Sequence, residues 1–249
     1  MKETWLLIPY AEHDGATNMA LDEEMLAARI AGEIPPALRL YGFVPPCVTI
    51  GLSQKMEPSI QERIRGEGID VVRRPTGGRA VLHLNDLTYS FVGTDTTCGG
   101  RFSTSVTESY KQISQGLVAA FAELGVPTAI GPTGVAYRHL QDCFMATTGS
   151  DLHHNGTKLI GSAQVRRRGS ILQHGSVPLN QDPAFMPRLL GEPAKDEAPR
   201  HLNLFDLIGR EAGIEELQSA FKLGFEKNFG VELRVSPLFK TLTHTLSCS

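Results

Sequence analysis

Apolar and polar positions along this chain recur in two periods, and the switches between them divide it into elements. Steps of three and four mark helices and steps of two mark half-buried strands. The helical period is plainest at Val106, Tyr110, Ile113, Leu117, Phe121 and Leu124, which fall on one face. Ser105 and Glu108 open that run with capping-box spacing, and Gly125 and Pro127 close it, which predicts a helix over 106–124. An earlier helix is predicted over 17–30, rich in Ala, Leu, Met and Glu and stopped by Gly32. Ile214, Leu217, Phe221, Phe225 and Phe229 predict a last one. Shorter helices are expected over 59–65, where Ser59 and Glu62 have capping-box spacing, and over 183–190.

The two-residue period predicts strands at 5–8, 37–41, 47–51, 87–92, 158–165, 170–177 and 231–235. Within 37–41 it places Arg39 and Tyr41 on one face. The strands at 37–41 and 47–51 are expected to form a hairpin or lie side by side. Those at 158–165 and 170–177 are expected to form a hairpin with a basic tip, Arg166-Arg167-Arg168. An exposed polar loop is expected at 195–201, and 236–249 carries no pattern. Strands and helices are intermixed with no linker or repeat. The expected fold is therefore α/β (α+β), a single domain over 1–249 with a mixed, largely antiparallel sheet packed with helices.

Composition narrows the function classes. A chain of 249 residues with 41% hydrophobic and 20% charged content is ordinary for a globular protein. A net charge of -3 argues against a general nucleic-acid binder. No run of about 18 apolar residues suggests a spanning helix, and the N-terminal apolar stretch is too short for a secretory leader. Cys47, Cys98, Cys143 and Cys248 form no C-x-x-C pair and fit a reducing cytoplasm. His153-His154 lacks a third ligand at metal spacing, so no metal site is expected.

Candidate chemistry centres on 71–83, where Arg73, Arg74 and Arg79 surround the Gly77-Gly78 pair between two apolar ends. Paired glycines let backbone approach a ligand closely, and arginines beside exposed N–H groups suit a carbonyl, a phosphate or an acidic partner. The same stretch also reads as a β-hairpin with solvated arginines. It lacks G-x-G-x-x-G spacing and a Walker lysine, and leads into a strand, so a doubly wound nucleotide fold is disfavoured. Cys143 reads as a small buried hydrophobe or as a nucleophile, and Lys158 as a solvated edge charge or as the cation beside that nucleophile. His83 and His174 read either as structural histidines or as a base for Cys143. The Arg166–Arg168 run reads as a solvated tip or as a contact for an acidic protein.

Taken in order, several motifs resemble the lipoate–protein ligase and octanoyltransferase family of the biotin/lipoyl ligase superfamily. They are Asn18-Met19-Ala20-Leu21-Asp22-Glu23, Leu38-Arg39-Leu40-Tyr41-Gly42, the stretch from Arg73 to His83, Ser105 to Tyr110, Lys158 to Gln164, and Ile171 to Ser176. Arg79 stands where ATP-dependent ligases of the family show a third glycine, and Cys143-Phe144 matches the cysteine context of its thioester-forming transferases. Asp142 and the stretch 145–148 depart from that context. The resemblance implies an octanoyltransferase of lipoate biosynthesis. Cys143 would take octanoyl from acyl carrier protein and pass it to a lysine of a lipoyl domain or glycine cleavage H protein. Lys158 would position the carbonyl and help proton transfer. Arg73, Gly77, Gly78, Arg79, His83, Gly161, Ser162 and Ala163 would bind substrate. It further implies a cytoplasmic monomer with no cofactor, no metal, no nucleic acid and no membrane. Two alternatives stay open: an ATP-dependent lipoate or octanoate ligase, and a non-catalytic lipoyl-domain-binding subunit of a split ligase.

Overall fold

The computed structural model describes residues 2–131, 151–191 and 201–236. Eight strands form one sheet in the order β11-β1-β2-β6-β10-β9-β8-β7. They are β1 (Thr4–His13), β2 (Ala37–Phe43), β6 (Asp86–Thr94), β7 (Ala129–Ile130), β8 (Leu152–His154), β9 (Thr157–Arg167), β10 (Ser170–Pro178) and β11 (Glu232–Val235). Only β1 pairs in parallel, with β11 and with β2; every other pairing in this sheet is antiparallel, as the sequence pattern led us to expect. A second sheet of three strands, in the order β4-β3-β5, comprises β3 (Cys47–Ile50), β4 (Asp70–Arg73) and β5 (Val81–His83).

Helices α3 (Val106–Glu123) and α6 (Ile214–Phe229) cover one face of the large sheet. Their Ile113, Leu117, Phe121, Phe221 and Phe225 join Trp5, Leu38, Leu40, Phe91 and Ile171 in one apolar cluster. Each such side chain contributes about 1.5–3 kcal/mol by leaving water. Helix α1 (Gly15–Ala31) lies on the other face, where Leu21, Met25 and Leu26 pack on Ala37, Val92 and Leu172. The small sheet is backed by α2 (Pro58–Gly66) and α4 (Phe185–Leu190), through Ile60, Ile64, Leu189 and Leu190 against Val48, Ile50 and Leu82. A short α5 (Leu204–Ile208) adds Leu204 to the main cluster.

Several expectations are corrected. The strands at 37–41 and 47–51 do not form a hairpin, because β2 belongs to the large sheet and β3 to the small one. The glycine stretch is not a hairpin either: β4 and β5 lie on opposite sides of β3. Ser59 does not cap α2, which starts one residue earlier with Pro58 in its first turn and no side-chain cap. Ser105 does cap α3, accepting from the Glu108 amide at 3.4 Å, but Val106 is exposed rather than part of the buried face. The β9–β10 hairpin forms, yet its tip is not simply solvated. Arg166 donates to the Ser103 and Thr104 carbonyls and Arg167 pairs with Glu23 at 3.3 Å. Of the expected loop at 195–201 only His201 is described, and it is buried. The stretch 237–249 lies outside the described residues. Among the described residues no helix is long and apolar enough to cross a membrane.

The two covering helices meet closely at Gly224, where a Cβ would stand 2.2 Å from the Ala120 amide nitrogen and 2.5 Å from its Cα. Alanine is about 1 kcal/mol better than glycine inside a helix. The obstacle is backbone, however, so overpacking strain near the upper end of its range, about 3 kcal/mol, outweighs that gain. Gly224→Ala is therefore expected to lower the urea unfolding midpoint. A midpoint at or above wild type would mean that the helices separate without cost.

Candidate active site

Cross-strand register builds the site. Partners in adjacent strands share a face, so one row across the large sheet reads Arg39, Ser90, His174, Ala163 and the next reads Tyr41, Thr88, Ser176, Gly161. These two rows of polar and small residues adjoin the apolar row Ala37, Val92, Leu172, Val165 that seats α1. The small sheet turns Thr49, Val81 and His83 towards them. Between the two sheets lies a cleft open to solvent, lined by His174 and Ala163 of the first row and by the whole second row, together with Thr49, Arg74, Val81, His83 and Met19 of α1.

The buried polar groups around the cavity are turned onto one another. The fully buried Asp22 carboxylate accepts from Arg39 Nη1 (2.8 Å), Tyr41 Oη (2.8 Å), Ser90 Oγ (2.7 Å) and His174 Nδ1 (2.9 Å). Burial alone would push this carboxyl up. The His174 bond, the Arg39 charge and the Ser90 hydroxyl more than offset it and hold the group below 3.8. Arg39 also stacks over Tyr41, 3.9 Å from its ring centre, as their shared face requires. Across the cavity, His83 lies at hydrogen-bond distance from Asp86 through Nδ1 (2.8 Å) and from Thr49 through Nε2 (3.0 Å), and stacks on Phe43. Asp86 accepts in addition from Thr88 (2.9 Å) and Ser176 (2.6 Å).

Lys158 reaches this side of the sheet through a slip in register. Leu152 pairs with Ile160 but His153 pairs with Lys158, so Leu159 is an extra residue. Leu159 and Ile160 both enter the cluster under α3, and the slip returns Lys158 to the face of Gly161 and Ala163. Unbroken alternation would have put it on the opposite face. Its buried ammonium donates to the buried Asp151 carboxylate at 2.8 Å.

The residues expected at the site separate into three groups. His83, Gly161, Ser162 and Ala163 line the cavity. Arg73, Gly77, Gly78, Arg79 and Lys158 do not line it. Arg73 is exposed and folds the β3–α2 loop, its Nη1 donating to the carbonyls of Gly51 (2.6 Å), Leu52 (2.9 Å) and Gln54 (2.9 Å). Arg74, the arginine of the pair that does enter the wall, donates to the carbonyls of Thr49 (3.1 Å), Gly77 (2.8 Å) and Arg79 (2.7 Å). The close approach expected of the glycines is made to the chain itself: a Cβ on Gly51 would stand 2.1 Å from the Gly78 carbonyl oxygen. Cys143 lies outside the described residues. Of the remaining thiols described, Cys47 is buried with its pKa pushed up to about 12 by burial, which makes it inert. Among the described residues no group of His, Cys, Asp or Glu is placed to hold a metal.

Two β-sheets enclosing a small apolar-edged cavity, with a buried lysine on the same face, define a domain of the lipoyl-ligase class. The family model for the lipoyl protein ligase A/B catalytic domain matches residues 14–226, and the chain belongs to that family. It is 38% identical to octanoyltransferase LipM of Symbiobacterium thermophilum over 94% of this chain and 89% of that one. It is likewise 38% identical to octanoyltransferase LipM of Geobacillus kaustophilus, over 93% and 88%. Among solved structures, a lipoate-protein ligase A bound with ATP has the same fold, with a TM-score of 0.72 at 22% identity over 99% of this chain and 94% of that one. So does a bi-partite lipoate protein ligase of Thermoplasma acidophilum, with a TM-score of 0.67 at 22% identity over 99% and 92%.

Buried imidazoles make stability depend on pH. Burial lowers His174, with Arg74 and His83 adding to the effect against the opposing Asp22, and burial lowers His201 from 6.5 to about 4. His13 and His153 move the same way for the same first reason. Below 6.5 the unfolded chain takes up protons that the folded chain refuses. Stability is therefore complete above 6.5 and is lost as pH falls towards the folded values. Urea midpoints should be lower at pH 5 than at pH 7.5, with His201→Gln reducing the difference; equal midpoints in the wild type would contradict this.

Proposed function

We propose that this chain is a protein octanoyltransferase of lipoate biosynthesis working through a thioester on Cys143. The observation that carries the reading is the buried Lys158, aimed by the β9 bulge onto the face of Gly161 and Ala163 and held there by Asp151. Identity of 38% to octanoyltransferases over nearly the whole chain supports the same reaction.

In the first half-reaction the Cys143 thiolate attacks the carbonyl of octanoyl-acyl carrier protein. A new carbon–sulfur bond forms, the old one breaks, and the carrier's thiol leaves with a proton. In the second, the ε-amine of a lysine on a lipoyl domain or glycine cleavage H protein attacks the octanoyl-cysteine. A carbon–nitrogen bond forms and the sulfur leaves, the amine's proton passing back to it. The Lys158 ammonium holds the carbonyl oxygen as negative charge develops there. The eight-carbon chain occupies the cavity, where each buried CH₂ contributes about 0.8 kcal/mol. The reaction as written consumes no nucleotide, and its place is the cytoplasm.

Purified protein mixed with octanoyl-acyl carrier protein, without ATP, should gain the mass of one octanoyl group, and Cys143→Ala should not. Lys158→Ala should slow adduct formation by about 10²–10³-fold, the loss seen when one donor to a developing oxyanion is removed. Transfer only when ATP and free octanoate are supplied would replace this reading with the ligase. No adduct and no transfer under either condition would leave the binding subunit.

A further inference from the structure

The small sheet carries one wall of the cavity and the large sheet the other, so the width between them depends on what ties the sheets together. His83 and Asp86 secure β5 where the chain passes directly from one sheet to the other. The glycine segment is tied differently, by a bond spanning 98 residues: Thr76 Oγ1 lies 2.7 Å from His174 Nε2.

The directions of the bonds in that tie follow from the partners. Asp22 accepts from His174 Nδ1, so Nδ1 carries the proton and Nε2 is an acceptor in the neutral ring. Thr76 must then donate to Nε2, and its oxygen accepts in turn from Arg74 Nε at 3.1 Å. One ordered chain thus runs from Arg74 through Thr76 and His174 to Asp22, joining the glycine segment, β10 and α1. Thr76 is fully buried and does not line the cavity, but Arg74 and His174, its two partners, both do. Arg74 in turn fixes the carbonyls of Gly77 and Arg79, and Val81, just beyond them, is another wall residue.

We propose that Thr76 and His174 are positioning residues that set the width of the acyl cavity and thereby its selection for chain length. The proposal rests on the octanoyl-transfer reading. Without the Thr76 hydroxyl, His174 Nε2 loses its donor and Arg74 loses one acceptor. The glycine segment then loses this bond to the large sheet, and Arg74 and Val81 of the cavity wall are held less firmly. A wall free to shift admits longer chains, and selection by one or two CH₂ groups in an apolar pocket is sensitive to such a change.

Thr76→Val keeps the shape of the side chain and removes the hydroxyl. The measurement is kcat/KM for enzyme acylation by octanoyl-, decanoyl- and dodecanoyl-acyl carrier protein, read by intact mass. The octanoyl-to-decanoyl ratio should fall about 10-fold in Thr76→Val and stay within about 3-fold of wild type in Thr76→Ser, on the usual discrimination per methylene of about 10–200-fold. His174→Asn retains a donor to Asp22 but has nothing in place of Nε2, and should match Thr76→Val. It also carries the test if the valine variant does not fold. ¹⁵N spectra of labelled wild type should show His174 protonated on Nδ1. A wild-type ratio in Thr76→Val and His174→Asn, or a His174 protonated on Nε2, overturns the proposal alone. A wild type that forms no octanoyl adduct overturns the reaction on which it rests, and needs no variant to show it.

Discussion

The Asp22 carboxylate is the constraint from which the site is built. A buried charge without partners costs several kcal/mol, so this one holds its place only because four donors converge on it from three strands. Those donors fix Arg39, Ser90 and His174 in adjacent strands and set how far α1 lies from the sheet. Leu21, Met25 and Leu26, on either side of Asp22 along α1, close down on the apolar row. One turn nearer the start of the helix, Met19 lines the cavity. Removing the carboxylate would strand the Arg39 guanidinium in the interior, where only Asn18 would remain to accept from it.

The same satisfaction of polar groups explains how a wall of Thr, Ser, His and Arg suits an alkyl chain. Each donor is spent on a neighbour: Ser176 and Thr88 on Asp86, Tyr41 on Asp22, Arg74 on three carbonyls. The cavity therefore meets methyl groups, ring faces and methylene edges. A polar network of this kind is rigid when complete, which suits the proposed step in which one carbonyl is held against one ammonium.

Much of this was legible in the sequence where the signals are local. α3, α6 and the β9–β10 hairpin announce themselves by period, caps and turn residues, and all three form. Pairing partners are not local, which is why the pattern at 37–41 and 47–51 suggests neighbouring strands although each serves a different sheet. Arg73 and Arg74 show the same limit. Both flank the glycines, and only the parallel pairing of β4 with β3 decides that Arg74 turns inward. Asp22 and Arg39 lay within the motifs carrying the family resemblance but had no assigned role. The available signal was an aspartate four residues after Asn18, set among Met19, Leu21, Met25 and Leu26 on the helix's inner face. Asp151 gave no signal, since its importance comes from Lys158 on the next strand.

The extra residue at Leu159 separates two readings of β9. Residues from 160 onward follow the alternation of the large sheet, Lys158 stands on the face of Gly161 and Ala163, and a single extra position keeps these in phase. Straightening the bulge while keeping Leu159, so that β9 alternates unbroken from Ile160 back to Lys158, would turn the ammonium to the wrong side. Chimeras made with relatives of this chain should therefore be joined outside 152–160. Within it, a frame that looks fully homologous by hydropathy can be silent in chemistry.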